Sequence, residues 1–471
     1  MRAVGYAIIR KTVRRVGPRL TARKAPMAPT ALPAPIVAAT TALAAALSTW
    51  SAAQPDCTLA EAEAAVLGAV RAALPTLLGC VLAQTQRVRQ ALPVRCPTCQ
   101  HPARLHAWRP RQVLTVCGRV GWERPWAHCA RCQTWFGAGD AGLALAPFQQ
   151  QSAGVAALLV AFGSVTDFRE AATLLAQSTG LPVSPETVRR TTEAAGTQQA
   201  DAQDARLAHY AAGQEPPVLD VAPGLLVAET DGVFVRYHDD WHEVKVGAVG
   251  GWQAAAAPAA TAGHLTALSY VAAREESSQF APRLGAEVAR RGGLAVVGWH
   301  GPHQGVAELR PLVLVGDGAK WIWGAVADQF GTVTEIVDYF HACEHLTAVA
   351  ALLHPGESAA ASAWAAARRD ELRTQGVDAI LPQLTAPPGL SAEALAKLRT
   401  EQGYFRTNQA RMQYPRFRDQ GLPIGSGAVE SSAKHLIQQR LKRAGMRWSD
   451  AGGRALIALR AQRASHLAAG A

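Results

Sequence analysis

Residues 223–237 read PGLLVAETDGVFVRY and residues 311–317 read PLVLVGD, and the fold follows from how these two stretches are taken. Each is a short apolar run rich in branched residues and closed by Asp-Gly: Asp231-Gly232 in the first, Asp317-Gly318 in the second. Apolar runs of this length between Gly and Pro are strand signals. Asp-Gly behind a strand is also a common turn, so each aspartate taken singly reads as a turn residue.

The surrounding elements give the two runs a setting. HEVKVGAVGGW (242–252) and HLTALSYVAA (264–273) continue the first run as an antiparallel meander. A helix follows at SSQFAPRLGAEVARRGG (277–293), then the strand ending at Asp317, then a helix at KWIWGAVADQF (320–330). TEIVDYF (334–340) is a strand and HACEHLTAVAALL (341–353) a helix. The order β-β-β-α-β-α-β-α is that of an RNase H-like domain, an α/β fold with a mixed five-stranded sheet, here assigned to residues 218–354. In that arrangement Asp231 ends the first strand and Asp317 the fourth. Those strands are neighbours, so the two acids are expected side by side.

A third acid comes later. GSGAVE (425–430) turns into SSAKHLIQQRLKRAGMRW (431–448), a helix with Glu430 in its first turn and then Lys434, Arg440, Lys442, Arg443 and Arg447. Two readings stand. With Gly427 as N-cap, Glu430 lies three residues on and satisfies helix N–H groups. Alternatively Asp231, Asp317 and Glu430 are one hard oxygen site. Such ligands suit Mg²⁺, with Mn²⁺ a substitute, and two ions can clamp the attacking and leaving oxygens of a phosphoryl displacement. The basic residues that follow would hold a phosphate backbone. His341 and His345 sit one helical turn apart. His341 is an auxiliary candidate for orienting a phosphate or water, and His345 reads equally as a packed residue.

Upstream, CPTC (96–99) and CARC (129–132) present Cys96, Cys99, Cys129 and Cys132 as two CxxC knuckles. Each knuckle offers two sulfurs from one tight turn, which suits tetrahedral Zn²⁺. Strand-like alternation with a Gly118 turn lies between them, so residues 93–140 read as a zinc ribbon. Four further cysteines are scattered along the chain, and CxxC pairs without a disulfide pattern point to a reducing compartment.

Residues 148–212 read as helical. DFREAATLLAQS, TGLPVS and PETVRRTTEAAG describe helix, turn and helix, with Ser184 as cap and Pro185 at the first helical position. Arg189 and Arg190 are expected on the outer face of the second helix, for DNA, although an ordinary helical hairpin has the same pattern. Residues 57–92 read as one or two packing helices, with Thr58 and Glu61 as a capping box. Residues 355–420 read as an Ala-rich helical insertion, and residues 421–471 as the Glu430 helix and a basic tail.

The 471 residues have room for two to four domains and the net charge is +11. Residues 1–55 hold eight Lys or Arg and no acid, and residues 434–463 hold eight against Asp450 alone, which points to a polyanion. The basic start followed by Ala, Pro and Thr invites an export-signal reading. Its core is weakly apolar, so the expectation is a disordered leader over 1–56, with Met27 as an alternative start, no membrane span and a cytoplasmic, nucleoid-associated protein.

TDGVFVRY, LVLVGDGAKWIW, the run YFRTNQARMQYPRFRDQGLPIGSGAVESSAKHLIQQRLKRAGMRWS and the preceding CPTC…CARC together resemble the DDE-class transposases of prokaryotic insertion sequences, in the Kra-type family related to Mutator-like elements. The resemblance spans roughly residues 90–463, and GSGAVES followed by RLKRAGMRW is its most specific part. It implies Asp231, Asp317 and Glu430 as a catalytic triad. It also matches Asp338-Tyr339-Phe340-His341 to a [C/D]xxH signature. The activity implied is binding of terminal inverted repeats in double-stranded DNA, cleavage and strand transfer by a 3′-OH, in a homo-oligomer on the DNA. A nuclease without strand transfer and a non-catalytic DNA-binding derivative are the rival expectations.

Overall fold

The computed structural model describes residues 34–89, 94–214, 224–254, 263–293, 311–326, 329–330 and 333–469. Residues 1–33 of the expected leader, residues 90–93 and residues 215–223 lie outside these. The chain forms two compact units, residues 1–150 and 151–471.

In the first unit, helix α1 (Ala34–Ala53) packs on α2 (Leu59–Arg89). The reading of residues 1–56 as a disordered leader is therefore corrected over Ala34–Ala53. Alanine is the best helix former, and no Pro or Gly falls between Pro35 and Ser51. Thr58 and Glu61 make the expected capping box, with the Thr58 N–H donating to Glu61 Oε2 at 2.8 Å. Residues 59–89 are one helix, despite Pro75 inside it. Ala34–Ala53 and Leu59–Ala83 are each long and apolar enough to cross a membrane by length and composition, which corrects the expectation that no such stretch exists. Part of the apolar surface of α2 has another use. Leu78 and Leu82 pack on Val113, Val120 and Trp122 of the ribbon strands.

Those strands are β1 (Arg104–Thr115), β2 (Gly118–Cys129) and β3 (Thr134–Gly137), an antiparallel sheet in the order β1-β2-β3. The β1–β2 turn closes at Gly118, as the alternation indicated.

The second unit begins with α3 (Ala153–Gly163), α4 (Phe168–Thr179) and α5 (Pro185–Ala211). Asp167 caps α4, Gly180 ends it in the left-handed conformation, and Ser184 caps α5 with Pro185 behind it. The helix-turn-helix is thus present, but α5 is a 27-residue helix rather than a short one. It lies along α14 (Asp450–Ala469), with Gly196 against the Ala455 backbone so closely that a Cβ would collide with the carbonyl.

The second sheet contains β4 (Leu226–Arg236), β5 (Trp241–Gln253), β6 (His264–Ala273), β7 (Leu312–Gly316) and β8 (Thr334–Val337), in the order β6-β5-β4-β7-β8. β4, β5 and β6 are an antiparallel meander, and β7 and β8 run parallel to β4. Helix α6 (Ser277–Arg290) covers one face through Phe280, Leu284 and Val288. The expected helix over 320–330 is reduced to a single π-helical turn at Ile322–Val326, with residues 327–328 outside the description.

Helix α7 (Tyr339–Leu353) leads into the insertion: α8 (Ser358–Gln375), α9 (Val377–Ile380), α10 (Ala392–Thr407) and α11 (Tyr414–Asp419). Leu372, Leu398, Phe405 and Phe417 from it share one core with Val313, Ile336 and Leu346. The insertion is therefore packed onto the sheet. The Glu430 helix is α12 (Gly427–Ser432), a π-helical turn at Ala433–Gln438 and α13 (Gln439–Leu441), in direct succession. Such bulges inside helices occur often at functional sites.

Arg440 corrects a sequence reading. It was assigned to a phosphate backbone, but it is fully buried. Its Nε donates to the Gly163 carbonyl at 3.2 Å, and its guanidinium lies 4.7 Å from the Phe168 ring and 5.0 Å from that of Trp448. Arg443 is likewise engaged, donating to Asp167 at 2.9 Å and Glu170 at 3.0 Å. Arg460 donates to the Leu436 carbonyl and to that of Ser164. These arginines tie the C-terminal helices to α3 and α4. Replacing Arg440 by Ala should lower the unfolding free energy by about 3 kcal/mol, because it empties a packed site and orphans a carbonyl. Lys442→Ala, at an exposed position, should stay within about 0.5 kcal/mol. Denaturant unfolding followed by circular dichroism distinguishes the two outcomes.

Candidate active site and zinc centre

Strand pairing brings the two aspartates together. β4 and β7 are parallel, with their last pair at Thr230 and Gly316. Asp231 and Asp317 are the next residues on each chain, at strands about 4.8 Å apart. The sequence reading had Asp231 ending its strand. In the structure β4 runs on to Arg236, with Asp231 paired to Val246 and Gly232 to Lys245. The turn reading of Asp231 is thereby excluded. What ends at Thr230 is the pairing with β7. Asp317 does have turn geometry: its Oδ1 accepts from the Ala319 N–H at 2.8 Å, and Gly318 has φ of +96°. Both roles coexist on one residue.

Burial is the main reason that the Asp231 carboxyl is pushed up to about 6. The Gly232 N–H opposes this, the charge of Asp317 adds to it, His341 counters it and Glu243 on β5 adds a little more. His341 is thus electrically close to Asp231. The Tyr404 hydroxyl, from the insertion, donates to the Asp317 carbonyl at 2.9 Å. Its ring stacks on His345 at 3.7 Å, and His345 Nδ1 lies 2.6 Å from Glu401. The packing reading of His345 is the one realised. A Cβ on Gly318 would strike the Tyr404 ring, so only glycine satisfies both the positive φ and the contact there.

Two acids that the sequence reading did not use hold the Glu430 helix. Glu229 is buried on β4, two residues before Asp231, and its Oε2 accepts the Val429 N–H at 2.7 Å. Burial pushes its carboxyl up to about 8, against the pull of the Val429 and Ala428 N–H groups and with the charge of Asp338 adding to the rise. Asp338, also buried, accepts from the Ser426 N–H and from the Ser426 hydroxyl at 2.5 Å through Oδ2. Its Oδ1 caps α7 through the His341 N–H at 2.7 Å. A charged residue inside the apolar run LLVAET is the signal by which Glu229 could have been found. Asp338 was noted only as part of the signature before His341.

Glu430 itself is exposed and does not cap its helix. Ser426 is the N-cap residue, in place of the expected Gly427. Glu430 Oε1 meets Lys434 Nζ at 2.7 Å, one turn on. Lys434 is therefore paired with the acid, not free for a phosphate. Among the described residues the three carboxylates do not close into a ligand set; the one group that does is Cys96, Cys99, Cys129 and Cys132. Arg189 is tied to Glu186 at 2.6 Å and Glu193 at 2.5 Å, and Arg190 lies 4.0 Å from Glu186. The start of α5 thus carries two acids for its two arginines. Lys442 and Arg447 remain exposed, with Lys442 Nζ 5.7 Å from the Trp241 ring centre.

The cysteine sulfurs all lie within 4.8 Å of one another, and Cys99 and Cys129 are 3.6 Å apart. Zn–S bonds of about 2.3 Å in a tetrahedron require sulfur separations of this size, so the four can hold a zinc ion. Backbone N–H groups at Cys99 and Thr98 hold the Cys96 thiol well below the ordinary range, which readies it as a thiolate. No family model matches the chain, and no curated protein matches it.

Two predictions follow from this geometry. The folded state raises the Asp231 pKa, so its contribution favours folding below about pH 4 and is lost as pH rises through about 6. In divalent-free buffer Asp231→Asn should therefore stabilise the protein by roughly 2 kcal/mol at pH 8, with the gain vanishing below pH 4. Thermal unfolding across that range measures it. Separately, a strong chelator should release bound zinc and make residues 94–140 protease-sensitive, while Cys129→Ser should give the same pattern without chelator.

Proposed function

We propose that this chain is a DDE-class DNA transposase with an RNase H-like catalytic unit. The observation that carries the reading is the adjacency of Asp231 and Asp317 on parallel strands β4 and β7, in a sheet whose order is three antiparallel strands followed by two parallel ones. The tethering of the Glu430 helix to β4 through Glu229 supports it further.

In this reading Asp231 and Asp317 are the inner ligands for Mg²⁺ or Mn²⁺, and two hard carboxylates suit those ions. Glu430 joins them by leaving Lys434, an exchange that an exposed i,i+4 pair makes at little energetic cost. A bound ion supplies charge for the scissile phosphate and lowers the pKa of an attacking water or 3′-OH. The chain's own part is to keep Asp231 and Asp317 fixed on the sheet, to hold His341 near the phosphate and to exclude water with Tyr404 and the insertion. Lys442, Arg447 and Arg190, with Lys434 once Glu430 leaves it, are exposed cations for duplex DNA. Joining two DNA ends calls for at least two copies of the chain on the DNA.

A second reading is a DNA-binding derivative without catalysis. The pairing of Glu430 with Lys434 in place of the aspartates favours it. Nicking of a supercoiled plasmid carrying the element's ends, in Mg²⁺ or Mn²⁺, separates the two. Wild type should cut and join, whereas Asp231→Asn, Asp317→Asn and Glu430→Gln should bind DNA normally and lose at least about a hundredfold in cutting. Wild type that binds without cutting establishes the derivative; cutting without joining establishes the nuclease.

A further inference from the structure

The cysteine-bearing unit carries a surface that the carboxylate site does not use. A cavity of about 650 Å³ opens beside the ribbon strands, lined by Trp108, Trp126, Trp135, Phe136, Phe148 and Arg124 among others. That volume lies within the range of ligand sites. Trp108 and Trp135 are about half exposed, and Phe148 is 80 % exposed. Phe148 also adopts φ of +62°, a conformation that costs a bulky residue energy. A strained backbone that presents a large aromatic ring to water, at the rim of a cavity, has no use in packing.

The rings are held ready. Trp135 contacts His106 at 4.6 Å and His128 at 4.8 Å between ring centres, and Arg109 and Arg124 each lie 5.2 Å from the Trp126 centroid. The unit that carries them is mostly of one charge sign. Residues 94–150 contain seven arginines and no lysine, against Glu123 and Asp140. Asp140 pairs with Arg124, both nearly buried, while Arg95, Arg104, Arg109, Arg119 and Arg131 are exposed. Flat apolar rings with the exposed Arg95 in the same lining, on a unit of net positive charge, complement a strand of unstacked bases on a phosphate backbone. An apolar peptide would use the rings and make no use of the unit's positive charge.

We propose that this cavity takes unpaired bases of a DNA strand, stacked on Trp108 and Trp135, with Arg95 at its lining on a phosphate. The proposal rests on DNA being the partner of this chain, and not on the carboxylate chemistry. It assigns the ribbon to melted or single-stranded DNA, leaving duplex contacts to the second unit.

The test uses full-length, zinc-loaded protein and fluorescence anisotropy at near-physiological salt. The probes are a short labelled oligodeoxythymidylate, an abasic strand of equal length and charge, and a duplex. The base-bearing strand should bind at least about tenfold tighter than the abasic one. Trp108→Ala and Trp135→Ala should each remove about tenfold of that affinity, and Trp135→Phe should restore most of it. Equal binding of base-bearing and abasic strands by wild type overturns the proposal without recourse to any variant. So does an unchanged single-strand affinity in both alanine variants. If those variants instead alter the sedimentation coefficient and leave DNA binding alone, the surface joins copies of this chain and the proposal fails. Asp231→Asn should retain single-strand binding, so loss of nicking and loss of stacking are read separately.

Discussion

The junction between the sheet and the Glu430 helix rests on two buried carboxylates accepting N–H groups from one turn. Glu229 takes the Val429 N–H and Asp338 takes the Ser426 N–H and hydroxyl. The first N–H groups of a helix have no partner within it, and burial makes an unpaired donor costly. The acids on β4 and at the end of β8 answer that need and so set where the helix starts. Burial holds one carboxyl up to about 8 and another up to about 6, two residues apart on one strand.

The basic residues divide by burial. Arg440, Arg443 and Arg460 work inside the fold, bridging the C-terminal helices to the carbonyls and acids of α3 and α4. Arginine suits that duty because its planar donor array can satisfy several carbonyls while its faces stack on aromatic rings. Net charge therefore overstates the surface available to a polyanion. Exposed cations remain at Lys442 and Arg447 after the Glu430 helix and among the arginines of the ribbon. The insertion has a structural duty as well, because Tyr404 supports the Asp317 turn and its helices complete the core beneath β7 and β8.

Much of the architecture was legible in the chain. The strands at 264–273 and 312–316, the CxxC knuckles, the Thr58 capping box and the Ser184 cap are local matters, decided by alternation, turn chemistry and side chains within a few residues. The position of Asp231 within β4 was misread. Asp-Gly has strong turn character, but cross-strand pairing with Val246 and Lys245 outweighs it. The helix expected over 320–330 shrank for a related reason, since apolar periodicity does not say how a segment between two parallel strands must bend. The helix at Ala34–Ala53 was missed because Ala-rich composition says little about order, whereas helix propensity alone favours it.

By itself the sequence determined the four cysteines that can hold a zinc ion and the succession of strands and helices around β4 and β7, because each of these is carried by residue type at a local spacing. Only the tertiary structure decided which charges work where. It turned Arg440 inward, gave Glu430 to Lys434 and joined Asp231 to Asp317, and it brought Glu229 and Asp338 to one helix start. The physical reason is that charge and hydrogen-bond partners are chosen by distance in space. Residues far apart in sequence become neighbours only through strand register and helix packing.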